Sequence, residues 1–264
     1  MLIDFHTHVF PDAIAGRAIA KMEAISGVAA HTRGSVAELE ASMPGQGIDL
    51  SVNMPVITDP AQTASINAFA AGLNKREKMR SFAGLHPASP DWRAQLDAVV
   101  AAGFKGVKFH PDYQGFFLND PAALEVIAAV MDRGLAVLVH AGFDPLSPTV
   151  HHCPPKMIAD ILPSLPDGVF IAAHFGGFRY TGDALKYLAG TKVYIDASFS
   201  FKYDDPAACA EILRRHSPAR ILFGSDSPWD APADAAAFLR SVGLGQEAED
   251  LIFYKNAQRI LGME

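Results

Sequence analysis

The chain of 264 residues is 50% hydrophobic and has a net charge of −7, from 22 basic and 29 acidic residues. This length allows one large α/β domain, and the acidic balance disfavours nonspecific nucleic-acid binding or attraction to an anionic membrane surface. Cys153 and Cys209 are too few for a disulfide framework, and neither a signal-peptide pattern nor a membrane-spanning apolar run is present. We therefore expect a cytoplasmic globular protein with a small-molecule substrate and no nucleic-acid or membrane partner.

Short β-branched or apolar runs alternate with alanine-rich helical stretches along the chain. They predict eight strands, at 2–6, 48–53, 80–85, 104–109, 135–140, 169–174, 192–197 and 220–225. Between them the sequence predicts helices at 12–25, 35–43, 61–76, 91–102, 121–133, 155–162, 182–189 and 206–216, with more helix after 231. The stretch 121–133 is typical, since it opens on a proline, repeats apolar residues at helical spacing and stops at Gly134.

Eight strand-then-helix units with no break in composition indicate a parallel sheet closed into a (β/α)8 TIM barrel. We expect one barrel domain over residues 1–264. A doubly wound open sheet is the structural alternative. The proline-rich segment 145–155 is predicted to be an ordered loop over the barrel mouth.

His6 and His8 form an HxH pair at the end of the first predicted strand. Side chains at i and i+2 of a strand lie on the same face, about 6–7 Å apart, so both imidazoles can turn toward one metal ion. The pair alone is a weak signal. Further candidates follow other predicted strands, whose carboxyl ends meet on the catalytic face of a barrel. They are His86, Lys108, His110, His140, His174 and Asp226.

At these residues the chain resembles the amidohydrolase superfamily, specifically its amidohydrolase-2 branch. That branch includes aminocarboxymuconate-semialdehyde decarboxylase and metal-dependent TIM-barrel hydrolases. The resemblance extends from Asp4-Phe5-His6-Thr7-His8, through the strand motifs, to Gly224-Ser225-Asp226 and the segment 256–261. It implies a distorted (β/α)8 barrel without the separate β-sandwich domain of larger relatives, because the first strand already begins at residue 2.

The resemblance also implies that His6, His8, His140 and Asp226 bind one divalent ion, usually Zn²⁺, with Mn²⁺ as an alternative. Three imidazoles and a carboxylate suit such an ion and leave an open position for water, whose pKa would fall to about 7. In this pattern His174 hydrogen-bonds the nucleophilic water or the developing oxyanion. Asp226 then takes the proton of the water and passes it to the leaving group.

Lys108 leaves the number of metal ions open. Some binuclear relatives carry a lysine on the fourth strand that is carbamylated and bridges two metals, and Lys108 could act as such a bridge. The favoured interpretation is a lysine inside the barrel paired with a carboxylate, because His110 lies nearer the carboxyl end of the strand. One ion is therefore expected, with a second ion as the alternative.

Candidate substrate contacts are His110, His86, Asn53, Arg179 and Trp229. His86 and Arg179 could bind a substrate carboxylate, although each could equally belong to a turn or a surface loop. His110 could orient substrate or contact the metal. The cluster 151–153, His-His-Cys, could supply a ligand, line the pocket or anchor its loop.

Two reactions fit this set of residues. The first hypothesis is metal-dependent hydrolysis of an amide, lactone or ester of a small polar substrate. The alternative is non-oxidative decarboxylation of an unsaturated or aromatic acid, which predicts an aromatic pocket wall and a cationic clamp for the carboxylate. A barrel DNase is disfavoured by the lack of a glutamate on the fourth strand and of a basic surface. A binding module without catalysis is disfavoured by the intact ligand set, and a homodimer is possible.

Overall fold

The protein is described by a computed structural model covering residues 1–263. Within that range its centre consists of short parallel strands: β1 (Ile3–Thr7), β2 (Leu50–Asn53), β3 (Met79–Ser81), β4 (Ala83–Gly84), β5 (Gly106–Phe109), β6 (Ala136–Val139), β7 (Phe170–Ala172), β8 (Tyr194–Asp196) and β9 (Ile221–Leu222). The single strand predicted at 80–85 is divided at Phe82. Its first part, β3, pairs with β2, whereas its second part, β4, pairs with β5.

The strands follow one another in chain order around a ring. The hydrogen-bonded order is β1-β2-β3 in one sheet and β4-β5-β6-β7-β8-β9 in the other, with every pairing parallel. Three backbone bonds join the region after β9 to β1 and the residue that follows it. Phe5 N–H donates to the Phe223 carbonyl at 2.9 Å, Asp226 N–H to the His6 carbonyl at 2.8 Å, and His8 N–H to the Ser227 carbonyl at 2.6 Å. The predicted (β/α)8 barrel is confirmed.

Helices follow the strands: α1 (Asp12–Ser26), α2 (Val36–Gln46), α3 (Thr63–Leu73), α4 (Trp92–Ala101), α5 (Pro111–Gln114), α6 (Pro121–Asp132), α7 (Pro155–Ile161), α8 (Thr181–Tyr187), α9 (Ser200–Tyr203), α10 (Pro206–Arg215), α11 (Pro232–Ser241), α12 (Gln246–Asp250) and α13 (Asn256–Leu261). A π-helical turn, Leu251–Lys255, joins α12 to α13. The short helices α5 and α9 directly follow strands and were not predicted. The expected single domain ends at residue 264, which lies outside the described residues, and it stays a prediction.

The connection from β1 to β2 contains two helices that differ in their packing. Helix α2 has a capped start, where the Ser35 hydroxyl accepts a hydrogen bond from the Glu38 N–H at 3.2 Å. It ends at Gly47, whose φ of 72° is the left-handed conformation that favours glycine at a helix end. Helix α1 spans 15 residues but fully buries only Ala15 and Ile19. Most of α1 is therefore free to face solvent or a ligand.

Apolar side chains fill the inside of the barrel beneath the carboxyl ends of the strands. Phe5, Val52, Phe82 and Leu138 are completely buried in one apolar cluster. Residues on the outer face of the strands, such as Val139, belong to a second apolar cluster, which also contains residues of the surrounding helices. Burial of both faces is expected for parallel strands covered by helices, and each large apolar side chain contributes about 1.5–3 kcal/mol. Among the described residues, no helix has the length and hydropathy needed to cross a membrane.

Candidate metal centre and active-site cavity

Three predicted ligands converge where the last strand meets the first. His6 lies in β1, His8 follows the strand, and Asp226 lies in the loop after β9. Oδ1 of Asp226 is 3.1 Å from Nε2 of His8 and 3.4 Å from Nε2 of His6. Ligand atoms of the three residues lie within 4.8 Å of one another. Two imidazoles and a carboxylate at this spacing are a donor set that fits a divalent transition-metal ion.

His6 is held in the tautomer that a metal ligand needs. Its Nδ1 lies 2.8 Å from Oδ2 of Asp196, at the end of β8, and both side chains are fully buried. Donation from Nδ1–H to this carboxylate leaves the lone pair of Nε2 directed toward Asp226. Burial, and then the positive charge of Lys108, lower the pKa of His6 well below 6.5, so the ring stays neutral. Neutral imidazole is the form that binds metals.

Asp226 is kept ionised beside these two rings. Burial acts to raise the pKa of its carboxyl, but His6 and His8 favour the charged form and hold that pKa below the ordinary value of 3.8. An ionised carboxylate is what both a metal ligand and a general base require.

A chain of hydrogen bonds links Asp196 to His140. The Ser198 hydroxyl donates to Oδ1 of Asp196 at 2.5 Å, so it accepts from Nδ1–H of His174 at 2.9 Å. Nε2 of His174 must then accept from Nδ1–H of His140, at 3.0 Å. This order of donors leaves Nε2 of His140 without a proton, and that atom lies 3.2 Å from the Phe143 carbonyl oxygen. The two facing lone pairs would be reconciled by a cation between them.

His140 stands next to a second group of potential ligands. Its ring stacks on His110 with centroids 4.2 Å apart and planes 6° apart. Nε2 of His110 and of His140 lie 3.6 and 3.9 Å from Oδ2 of Asp144. The structure thus groups His140 with His110 and Asp144, whereas His6, His8 and Asp226 form their own group. The predicted ligand role of His140 stays a prediction.

Lys108 lies beneath the first group. Its Nζ is 3.3 Å from Nε2 of His6, and only 1% of the residue is exposed. Burial lowers the pKa of Lys108 to about 8, although Asp196 and Asp226 favour its charged form. Among residues 1–263 no carboxylate lies within 4.0 Å of this ammonium group, so the carboxylate pairing expected from the sequence is not formed. The alternative role as a bridge between two metals stays a prediction.

The backbone is strained at two of the predicted catalytic residues. His174 and Asp226 have φ values of 58° and 65°, in the left-handed region that residues other than glycine rarely adopt. Such a conformation costs about 1–3 kcal/mol per residue and persists only where surrounding contacts enforce it. Here the His174 N–H donates to Oδ1 of Asp196 at 2.9 Å, and the Asp226 N–H donates to the His6 carbonyl. The fold therefore fixes both side chains in place.

These groups lie at the floor of a cavity of about 500 Å³, within the size range of small-molecule sites. The ionisable residues that line it are His6, His8, Lys108, His110, Tyr113, His140, Asp144, His174 and Asp226. The aromatic wall near the floor consists of Phe143, Phe178, Phe199 and Trp229. No arginine is part of this lining among the described residues.

Asn53 and Trp229, two predicted substrate contacts, line the cavity. The amide of Asn53 is already occupied, since Oδ1 accepts from the Val9 N–H at 3.0 Å and Nδ2 donates to Ser81 Oγ at 2.9 Å. Asn53 therefore braces β1 against β3.

His86 and Arg179 lie outside the cavity lining. Nδ1 of His86 accepts the Ala88 N–H at 3.1 Å within a turn. Arg179 is exposed, with its guanidinium 4.9 Å from the ring centre of Phe143. The Arg179 guanidinium also lies 5.5 Å from the ring centre of Phe178, so it contacts two rings of the aromatic wall. The predicted roles of His86 and Arg179 in substrate binding stay predictions.

The cluster 151–153 makes the contacts of a loop anchor. Nδ1 of His152 lies 2.8 Å from Oδ1 of Asp112, and Nδ1 of His151 lies 2.9 Å from the Tyr180 hydroxyl. Cys153 is buried, and its carbonyl accepts from the Gly142 N–H at 2.8 Å.

Sequence reasoning missed four polar residues of the site: Tyr113, Asp144, Asp196 and Ser198. Asp196 is the next-to-last residue of the strand predicted at 192–197, so the logic applied to the histidines would have found it. Asp144 and Tyr113 lie in loop and short-helix segments without a periodic signal.

The profile of the amidohydrolase family (Amidohydro_2) matches residues 3–263. Among curated protein sequences, none matches this chain. An uncharacterised TIM-barrel protein from Bordetella bronchiseptica has a similar structure, with a TM-score of 0.77 and 16% identity over 99% of this chain and 98% of that one.

Two further similar structures represent different reactions. A probable 2-pyrone-4,6-dicarboxylic acid hydrolase from Acinetobacter baumannii, with citric acid bound, gives a TM-score of 0.68 and 17% identity over 99% of both chains. The 5-carboxyvanillate decarboxylase LigW from Sphingomonas paucimobilis gives 0.72 and 14% over 100% of this chain and 99% of that one. The family match over nearly the whole described chain, together with histidines and an aspartate at the ends of barrel strands, confirms the resemblance: the chain belongs to the amidohydrolase family.

Proposed function

We propose that the protein is a metal-dependent hydrolase that cleaves an amide, ester or lactone bond in a substrate without a negative charge. The observation that carries this proposal is the cavity lining, which combines a metal-type donor set at the floor with walls to which residues 1–263 contribute no arginine. Lys108 is the one cationic side chain of the lining among the described residues, and it lies beneath His6 rather than in the wall.

The donor set supports one divalent ion, for which Zn²⁺ is the first candidate and Mn²⁺ the second. His6, His8 and Asp226 would hold it, with His140 as the further predicted ligand. When bound, such an ion polarises a carbonyl and lowers the pKa of water, which are the two requirements of hydrolysis at neutral pH.

The protein's own side chains supply the proton transfers. Asp226 is ionised and reaches into the cavity, so it can accept a proton from an attacking water and return it to the leaving group. Burial raises the pKa of Tyr113, so its hydroxyl stays protonated and remains a hydrogen-bond donor. Tyr113 and His110, with ring centres 4.2 Å apart, line the cavity where an oxyanion would need donors.

Decarboxylation is the second candidate, and the aromatic wall of Phe143, Phe178, Phe199 and Trp229 favours it. A carboxylate on an aromatic ring could bind the metal ion itself, but the described lining supplies no further cationic side chain in that wall to orient it. This difference ranks hydrolysis first.

The test combines metal analysis with a substrate panel. Purified protein is loaded with Zn²⁺ or Mn²⁺, desalted and measured by inductively coupled plasma mass spectrometry, and then assayed with neutral lactones, esters and amides and with unsaturated and aromatic acids. We expect one ion per chain and turnover of neutral carbonyl substrates. Release of carbon dioxide from the acids without any hydrolysis would overturn the proposal, whereas two ions per chain would favour Lys108 as a bridge. The cytoplasmic location and the homodimer stay predictions.

A further inference from the structure

The cavity extends beyond its catalytic floor into an arm between α1 and α3. One stripe of α1 lines this arm, with Ile14, Ala18, Met22 and Ile25. These residues recur at intervals of four, four and three, so they share one helix face. Ile14 and Ile25 are 43% and 37% exposed, which is unusual for large apolar side chains on a facing stripe.

Helix α3 provides the opposite wall of the arm. Ser65, Ile66 and Phe69 line it, and they also share one helix face. Ile66 and Phe69 are half-buried. Residues of both helices thus line the same cavity as the histidines at the floor, and most of these helix residues are apolar.

Charge is absent from this arm. Helix α1 carries Asp12, Arg17, Lys21 and Glu23, and none of them is part of the cavity lining. The residues that α3 contributes are uncharged as well. The ionisable groups of the lining belong to the strands, to the loops that follow them and, for Tyr113, to α5. The cavity therefore combines a polar floor with an uncharged arm, where Ser26 and Ser65 are the polar residues that α1 and α3 contribute.

We infer that the substrate has an uncharged hydrocarbon tail, which lies between α1 and α3 while its carbonyl group lies at the floor. This inference rests on the proposed hydrolase function and defines its substrate class as amphipathic, with an alkyl chain attached to the hydrolysed lactone, ester or amide. A polar or charged substituent in the arm would lose water without gaining a partner, whereas an alkyl chain gains by leaving water. The stripe from Ile14 to Ile25 spans about 16 Å along the helix axis, enough for a chain of several methylenes.

The experiment measures how hydrolysis depends on tail length at a constant reacting group. The metal-loaded enzyme is assayed with γ-butyrolactone, γ-octalactone and γ-decalactone in a pH-indicator assay. Each methylene that leaves water can raise kcat/KM by up to about fourfold (~0.8 kcal/mol), so we expect at least about a tenfold increase from the unsubstituted to the hexyl-substituted lactone. Equal kcat/KM along the series would overturn the inference.

Matched variants locate the effect. Met22→Gln and Ile66→Gln each place an amide in the arm and should lower the ratio of kcat/KM for decalactone over butyrolactone about fivefold or more. Ala24→Gln and Ala64→Gln add the same group to exposed positions of the same helices outside the lining. These control variants should have the same ratio of kcat/KM for decalactone over butyrolactone as the parent protein. A ratio unchanged in Met22→Gln and Ile66→Gln would place the tail elsewhere and refute the inference.

A binding measurement separates the tail site from the chemistry. Nile red, an uncharged fluorescent dye, should bind the protein with a blue-shifted emission and be displaced by decanol, and Met22→Gln should weaken both. Dye binding of this kind without hydrolysis of any lactone, ester or amide of the substrate panel would support the apolar site and reject the proposed reaction. Hydrolysis without a tail-length effect and without dye binding would support the reaction and reject the tail.

Discussion

Replacing Asp196 by asparagine should weaken metal binding without removing a metal ligand. The carboxylate fixes His6 through Oδ2, and its Oδ1 accepts from the His174 N–H and from the Ser198 hydroxyl. Asparagine offers one acceptor oxygen, so in one orientation its NH2 group faces Nδ1 of His6. The imidazole then moves its proton to Nε2, the atom that the metal needs. Loss of such an outer carboxylate typically lowers metal affinity about 10–100-fold.

The same substitution should also reduce stability, because buried donors around Asp196 lose a charged acceptor. We expect a decrease in the free energy of unfolding of about 2–3 kcal/mol. Zinc affinity is measured by competition with a chromophoric chelator, and stability by urea unfolding of the metal-free protein followed by circular dichroism. These two measurements separate an effect on His6 as a metal ligand from an effect on the stability of the fold.

Asp112→Asn is the matched control. Asp112 also accepts from a histidine Nδ1, that of His152 at 2.8 Å, but neither residue belongs to the cavity lining. This variant should lose stability while zinc affinity stays within about twofold of the parent, since no ligand tautomer depends on it. Zinc affinity of Asp196→Asn equal to that of the parent would refute the argument that Asp196 sets the tautomer of His6.

Three further predictions concern the site, the pH dependence and the backbone. His140→Ala and Asp226→Asn should each sharply lower metal content or turnover while circular dichroism stays native, and unchanged values in both would contradict the site assignment. Burial lowers the pKa of His216 below 6.5 in the folded protein. Its stabilising contribution is therefore present above pH 6.5 and is lost as pH falls toward the folded pKa. In urea unfolding between pH 8 and 5, the free energy of unfolding should decline less for His216→Gln than for the parent protein. Gly142→Ala should destabilise the protein by about 3 kcal/mol or more, because φ is 95° and a Cβ would lie 2.3 Å from Phe178 backbone atoms. Gly16 has a helical backbone and open space around it, so Gly16→Ala should slightly stabilise the protein in thermal unfolding.

The barrel and the clustering of His6, His8 and Asp226 at its strand ends could be predicted because both follow from local patterns. Buried parallel strands require continuous apolar runs, and the residue after such a run must lie at the catalytic edge. Strand lengths were predicted too long, since pairing in this distorted barrel stops early; the strand expected at 220–225 is reduced to Ile221–Leu222. The break at Phe82 depends on pairing with two different partners, which no local pattern contains.

The relation between side chains was harder to predict than their positions. His140 was expected to join His6, His8 and Asp226, but its ring orientation depends on His174 and the stacked His110, which are distant in sequence. Likewise, the sequence predicts the helix at 12–25 but not that Ile14, Ala18, Met22 and Ile25 line the same cavity as residues of α3. Such arrangements depend on how loops of different length meet over the barrel mouth.

The sparse packing of α1 has a consequence for how the substrate specificity of this protein can be altered by mutation. Only Ala15 and Ile19 attach the helix to the interior, while a separate set of its residues forms the wall of the arm. On the inferred tail site, selectivity for the distal part of a substrate would be encoded apart from the residues proposed to perform bond cleavage. Randomising Ile14, Ala18, Met22 and Ile25 would therefore give a compact library in which new specificities arise on an undisturbed catalytic floor.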